Sequence, residues 1–340
     1  MHVDNLAPIM TGFCQTTHSC TTTTAADVKQ PSPVLVSLAN NHIMDFGRIA
    51  MEEETLPAFS GLNSMFSYVG CGRNLIEAQK PAVISTPKVE VEIFAVATQC
   101  SGTPSDWWAT LTRSGLVGLT SIINSEAVDH SIGIVKDAIQ AGTSSDATHD
   151  YFQRCRLRIL SIHWGPNWAG KGESSKQVEA RRELAHRLVD ECNVDIIYGH
   201  SSHHIRGMEV YKNKLIMYGT GDMINDYEGF ENAGEEAYNR LGGIFVVDVD
   251  GSSGDLEQLR IVPMFMNRLR VERYTRDSKL WNPSSRSLHA DPNKSEHLCH
   301  FLNRMSKVDG GSGALHLEHA DEDSNIPGGP VLKTRSFSTK

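Results

Sequence analysis

Three short apolar runs in this chain end the same way, in side chains of the types that can serve as metal ligands. Val34-Leu35-Val36-Ser37-Leu38 leads into Ala39-Asn40-Asn41-His42. Leu157 to Ile162 leads into His163-Trp164-Gly165, and Val194 to Tyr198 leads into Gly199-His200-Ser201-Ser202-His203-His204. Runs of this length, rich in β-branched residues, predict buried strands rather than helices. In an open α/β sheet, ligands bind outside the carboxyl ends of the strands. The pattern therefore predicts one rim where imidazoles and a carboxamide from three separated segments meet. Imidazole suits Zn, Mn, Fe and similar ions, and a carboxamide oxygen can join it. Singly, each residue has an ordinary explanation: a lone His beside a strand is usually just hydrogen-bonded, and Asn there is often a turn former. Their shared position points to a site. His204 and His130 are read as structural, and His186 as a solvated residue on a helix surface.

Further runs at Val89 to Val96, Leu215 to Tyr218, Ile244 to Val249 and Leu259 to Val262 predict more strands. Helical patterns lie between them. Ser175 to Cys192 puts Val178, Ala185, Leu188, Val189 and Cys192 on one stripe. Ser174 with Gln177 forms a capping-box signature, and Asn193 stands where a left-handed cap belongs. Ser125 to Ala141, closed by Gly142, predicts a second helix. Ile49 to Phe59, interrupted by Pro57, predicts a third. Strands alternating with helices imply a largely parallel sheet covered on both faces, and the closely spaced strands after Leu215 imply an antiparallel part. Residues 1–32 and 307–340 are poor in apolar surface and are expected to lack a packed core. That leaves a folded unit at 33–276 and an extension at 277–306 with a short helix near Ser295 to Met305.

The balance of charge excludes some partners. The formal net charge is -9, whereas a nucleic-acid binder normally carries a basic face. No window approaches the run of about 18 apolar residues that a membrane span needs. The first thirty residues lack the basic start and apolar stretch of a secretory signal. A soluble, cytoplasmic chain is therefore expected. Seven irregularly spaced cysteines without a Cys-x-x-Cys pair predict neither a disulfide framework nor a cysteine zinc site.

Val36-Ser37-Leu38-Ala39-Asn40-Asn41-His42-Ile43-Met44-Asp45-Phe46-Gly47 resembles a signature of the CapA family of poly-γ-glutamate capsule synthesis proteins. The resemblance continues in order through Glu54-Thr55-Leu56, Val69 to Asn74, Ser161 to Gly165, Gly199 to His203, Gly207 to Tyr211 and Tyr218 to Asp222, and covers roughly residues 33–275. That family is similar to calcineurin-like metallophosphoesterases, so the resemblance implies a four-layer α-β-β-α sandwich. It also implies Asn41, His163, His200 and His203 as ligands of divalent metal ions such as Mn, Fe or Zn. His42 would be the acid that protonates a leaving group. Arg48, Arg73 and Arg206 are candidates to meet an anionic polymer or phosphoester. Asp222 and Asp226 are further candidates for the rim, weighed against solvated turns.

Two departures matter. Many members carry a His-Pro pair where this chain has Ser201-Ser202, which leaves the outer histidines in place. Members also carry an Asp-containing motif and an Asn-Leu-Glu motif ahead of the Asn-Asn-His segment, and neither is found in the residues before Asn40 here. The fold is therefore expected to be truncated at its amino terminus, without the carboxylate that bridges two metals. Neighbouring divalent ions repel, so one ion is expected rather than two. Two functions compete: a metal-dependent hydrolase of a phosphoester or γ-glutamyl amide with His42 as general acid, and a non-catalytic accessory protein that binds the polymer. An inactive truncated homologue is the third.

Overall fold

The structure is a computed structural model that describes residues 33–61, 66–86, 89–143, 155–168, 173–223, 241–267, 270–273, 280–282, 287–289, 294–320, 326 and 331–334. The strands that build the site are β1 (Val34–Ser37), β2 (Phe66–Val69), β3 (Ala82–Ser85), β4 (Val89–Thr98), β5 (Cys155–His163), β6 (Ile196–His200), β7 (Met208–Tyr211) and β8 (Lys214–Met217). β9 (Leu241–Val249), β10 (Leu256–Asn267), β11 (Glu318–Ala320) and β12 (Val331–Lys333) follow, and the long helices are α1 (Ser125–Thr143), α2 (Ser175–Cys192) and α3 (Lys294–Gly310).

The main sheet runs β7-β8-β6-β5-β4-β3, with Gly118–Leu119 pairing alongside β4. β4, β5, β6 and β8 are parallel neighbours. Parallel strands need long crossovers, and α1 and α2 supply them. Alternate side chains then separate to two faces. Leu160, Ile162 and Ile197 join Val128, Ile132 and Val135 of α1 and Leu184, Ala185 and Leu188 of α2 in one buried cluster. Ser161 and His163 are left to the other face.

That face is covered by two units. The antiparallel sheet β9-β10-β12-β11 sets Leu259, Ile261 and Leu332 against Ile196, Met208 and Leu215, with Leu298, Leu302 and Met305 of α3 in the same cluster. Beside it, the parallel pair β1–β2 packs on Ile93, Ala95 and Ala97 of β4, together with Met51 and Leu56 of a helical segment. The architecture is mixed α/β: the strand–helix pattern implied the largely parallel sheet and the antiparallel part, and the family resemblance implied the sandwich.

The α2 caps form as the sequence predicts. Ser174 and Gln177 make a reciprocal capping box, and Asn193 takes a left-handed φ of 51°. The segment at 47–60 is a short α-turn, a π turn over Met51–Thr55 and a second α piece over Leu56–Ser60. Pro57 fits because it lies in the first turn of that last piece, where its missing N–H costs nothing. Gly142 does not close α1, which runs to Thr143. A Cβ there would lie 2.7 Å from Pro81 and 3.0 Å from the Phe94 ring, so close packing explains the glycine.

The expected loose tail from residue 307 is corrected. α3 continues to Gly310, and β11 and β12 add two strands to the second sheet. Leu315, Leu317, Val331 and Leu332 are buried. The Gly, Ser and Asp content around these short apolar pairs hid them from a composition argument. The folded unit therefore reaches at least Thr334, not residue 276. The expectation for residues 1–32 lies outside the described residues. Among the described residues no helix is long and apolar enough to cross a membrane. Cys71, Cys100, Cys155, Cys192 and Cys299 are free thiols.

Candidate metal centre at the strand ends

Strand register assembles the site. Ala97 of β4 pairs with His163 of β5, which pairs with His200 of β6, and two residues back Ser161 pairs with Tyr198. Register partners in a sheet share a face, so His163, His200 and Ser161 project together, away from α1 and α2. From the covering pair, Ser37 ends β1 and delivers Asn41 and His42 to the same place. Thr98 at the end of β4 donates its hydroxyl to the His163 carbonyl at 2.9 Å.

The polar side chains form a continuous chain. Asn41 Oδ1 lies 3.1 Å from His163 Nε2. His163 Nδ1 lies 2.9 Å from His200 Nδ1. His200 Nε2 lies 2.9 Å from Ser161 Oγ, which donates to Ser37 Oγ at 3.0 Å. Burial, reinforced by the neighbouring His200, His42 and His203, lowers the His163 pKa to about 2. Burial lowers that of His200 to about 4. Both imidazoles are therefore neutral at pH 7, the state that a metal ligand requires.

Two carboxylates orient the outer histidines. Asp45 Oδ2 lies 2.8 Å from Nδ1 of the exposed His42. Asp222 Oδ2 lies 2.7 Å from His203 Nδ1, and the Trp168 ring lies over both His203 and His204. Ser201, between His200 and His203, has a φ of 105° and bonds through Oγ to the Gly165 carbonyl. Such a conformation in a non-glycine residue is strained and tends to mark functional turns.

Ligands about 2.1 Å from a metal stand about 3.0 to 3.4 Å from one another, and Asn41 Oδ1 and His163 Nε2 match one such edge. Among the described residues no three His, Cys, Asp or Glu side chains converge on one point. His200 turns Nδ1 to the back of His163 rather than standing beside it. Asn41 and His163 thus supply one edge of a ligand set, with His203 and His42 as neighbours, and the described side chains as placed do not complete the three protein ligands that a divalent site generally needs.

The arginine expectations fare differently. Arg206 is corrected: it is 2% exposed and ion-pairs with Glu173 at 2.9 Å and Asp309 at 2.8 Å, so it is enclosed and does not face a substrate. Arg48 donates to the backbone carbonyls of Asp106 and Ser114, tying the helical segment to that loop. Arg73 is exposed. His186, read as solvated, lies 2.7 Å from the buried Glu209 and stacks on Tyr211. His204 is buried, as its structural reading requires. Asp226 lies outside the described residues. Sequence reasoning missed Ser161 as a site residue, although its place two residues before His163 puts it on the same strand face.

Fold and site together define an α/β protein with a polar, histidine-rich centre at the carboxyl ends of parallel strands. Residues 10–227 match the family model described as bacterial capsule synthesis protein PGA_cap, and the chain belongs to that family. It is similar to a probable polyglutamine synthesis accessory protein of Mycobacterium tuberculosis, 32% identical over 254 residues, covering 73% of this chain and 60% of the relative. It is also similar to the capsule biosynthesis protein CapA of Bacillus anthracis, 24% identical over 292 residues, covering 84% of this chain and 63% of the relative. The chain thus spans about three fifths of the length of these relatives. A solved structure titled as a putative 5'-nucleotidase from Staphylococcus aureus aligns at 11% identity and a TM-score of 0.35, over 70% of this chain and 39% of that one.

Proposed function

We propose that the chain serves the synthesis or processing of a poly-γ-glutamate polymer, with one divalent ion held by Asn41 and His163 at the site that meets a phosphoester or γ-glutamyl amide. The observation that carries this reading is the neutral His163 whose Nε2 stands 3.1 Å from Asn41 Oδ1. Bound there, an ion such as Mn, Fe or Zn would polarise a substrate oxygen and offset transition-state charge. The chain's own residues do the rest. His42, steadied at Nδ1 by Asp45, stands at the solvent edge where a departing group needs a proton. His203, steadied by Asp222, closes the other side beneath Trp168. Arg48 and Arg73 remain the candidates to meet an anionic substrate.

A second reading, a non-catalytic accessory that only binds the polymer, is favoured by the lack of a three-residue cluster among the described residues. The net charge of -9 disfavours wrapping an acidic polymer over the whole surface and confines either reading to this rim. Metal content after exhaustive dialysis, paired with phosphodiester and γ-glutamyl hydrolysis assays, separates the two. Turnover that needs added metal and is lost in His42→Ala supports the hydrolase. Polymer binding without turnover supports the accessory role, and neither binding nor turnover sinks both.

A further inference from the structure

The two loops that carry the histidines are zipped together beyond the ends of their strands. The Trp164 N–H donates to the His200 carbonyl at 3.0 Å, and the His203 N–H to the Asn167 carbonyl at 2.9 Å. Between them Ser201 Oγ donates to the Gly165 carbonyl at 3.0 Å, so the ties keep one offset of 36 residues. Among the described residues the next hydrogen bond between the loops is made by side chains: Arg206 Nη2 donates to Glu173 Oε2 at 2.9 Å. Trp168 lies between these last two ties, partly exposed, with its ring centroid 5.2 Å from that of His203. Glu173 is not the cap of α2, a role that Ser174 and Gln177 fill. Its carboxylate turns inward instead, to Arg181 and Arg206, and is buried. Replacing a buried ion pair by apolar side chains often costs no stability, so the pair is better explained by what it holds in place.

We propose that Glu173 is a positioning residue: by gripping Arg206 it holds the loop after β5 against the loop after β6 and keeps the Trp168 ring over His203, as a fixed wall on that flank of the rim. This rests on the reading above that the rim meets a γ-glutamyl chain, and it adds the surface on which that chain lies. A partly exposed indole offers an apolar face to the methylene stem of a γ-glutamyl unit, while the carboxylate of that unit stays in water. Trp168 touches the substrate, and Glu173 acts only through it. What matters at position 173 is then reach. A side chain of the same length with an oxygen acceptor serves, and a shorter one does not, even if it keeps the charge. A role limited to charge balance makes the opposite demand. Glu173 and Asp309 face Arg181 and Arg206, two against two, and only a carboxylate keeps that count.

Proton spectra of the full chain at pH 7.5 read the wall, because an indole lying over His203 displaces the His203 ring signals, and Trp168→Ala shows the size of that displacement. Glu173→Gln should keep the displacement and Glu173→Asp should lose it, with the signals of Trp164 and Tyr218, stacked in the core, unmoved in both. Calorimetric titration with a γ-glutamyl oligomer should give binding about fivefold weaker in Trp168→Ala and Glu173→Asp, and within about twofold of the unaltered chain in Glu173→Gln. The reverse pattern, or any result in which the two Glu173 variants agree, overturns the proposal. So does a Trp168→Ala chain whose His203 signals stay where they were. The expected displacements with no oligomer binding by the unaltered chain uphold the hold of Glu173 on Trp168 and sink the polymer reading instead.

Discussion

Asn41 Oδ1 and His163 Nε2 lie 3.1 Å apart, although 122 residues separate them in the chain. One comes from the loop after β1, the other from the last position of β5. Both donors are neutral, so an ion placed against them has no charge to balance its own. Asn41→Asp would supply that charge at the same reach. It should tighten divalent metal binding about tenfold or more, read by calorimetry at pH 7.5. Unchanged or weaker binding would show that no ion sits on this edge.

Asp222 acts on the opposite side. Its carboxylate holds His203 Nδ1 at 2.7 Å, and outer-shell carboxylates of this kind are typically worth about 10- to 100-fold in metal affinity. Asp222→Asn should weaken metal binding within that range and leave the thermal midpoint within about 2 °C, since the residue is partly exposed. Equal affinity in the variant would remove His203 from the metal's surroundings.

The strands, α2 with both caps, and the convergence of Asn41, His42 and His163 were legible because each rests on a local signal: length, periodicity, or position at a strand end. The orientation of His200 was not. Whether an imidazole stands beside or behind its neighbour depends on the partner of its second nitrogen, here Ser161 on an adjacent strand. Arg206 was misjudged for a related reason. Its sequence neighbours are the site histidines, but its carboxylate partner Asp309 lies 103 residues away in α3. No local pattern announces such a pairing. Leu317 and Val331 escaped because short apolar pairs vanish in a composition average.

Acid should unfold the protein through its buried histidines. Burial lowers the pKa of His200 and His204 to about 4, from 6.5, and that of His163 to about 2. The unfolded chain binds these protons near pH 6.5, while the native state refuses them until lower pH. Stability from this source is thus complete above pH 6.5 and falls as pH drops towards 4. The urea midpoint should be level from pH 8 to 7 and decline steeply between 6.5 and 4. A level profile through that lower window would mean the histidines are solvated.

Asp309 tests whether the chain beyond residue 307 belongs to the fold. Its carboxylate receives Arg181 at 2.9 Å, Arg206 at 2.8 Å and the Gly207 N–H at 2.9 Å. Glu173 completes a group of two guanidiniums and two carboxylates, all close to fully buried. Burial alone would raise the Asp309 pKa, but Arg206, Arg181 and the Gly207 N–H hold it below the usual carboxylate value. A balanced buried group of this kind adds little net stability compared with apolar residues, yet removing one member strands the opposite charge. Asp309→Ala leaves two buried guanidiniums against one carboxylate and should cost about 3 to 5 kcal/mol of unfolding free energy. Arg206 also lies two residues after His204, so the same change should loosen the rim and lower metal affinity. Equilibrium urea unfolding measures the first effect and calorimetry the second. A loss below about 1 kcal/mol, the range of a solvent-exposed pair, would place Asp309 at the surface and return α3 to the status of an appendage.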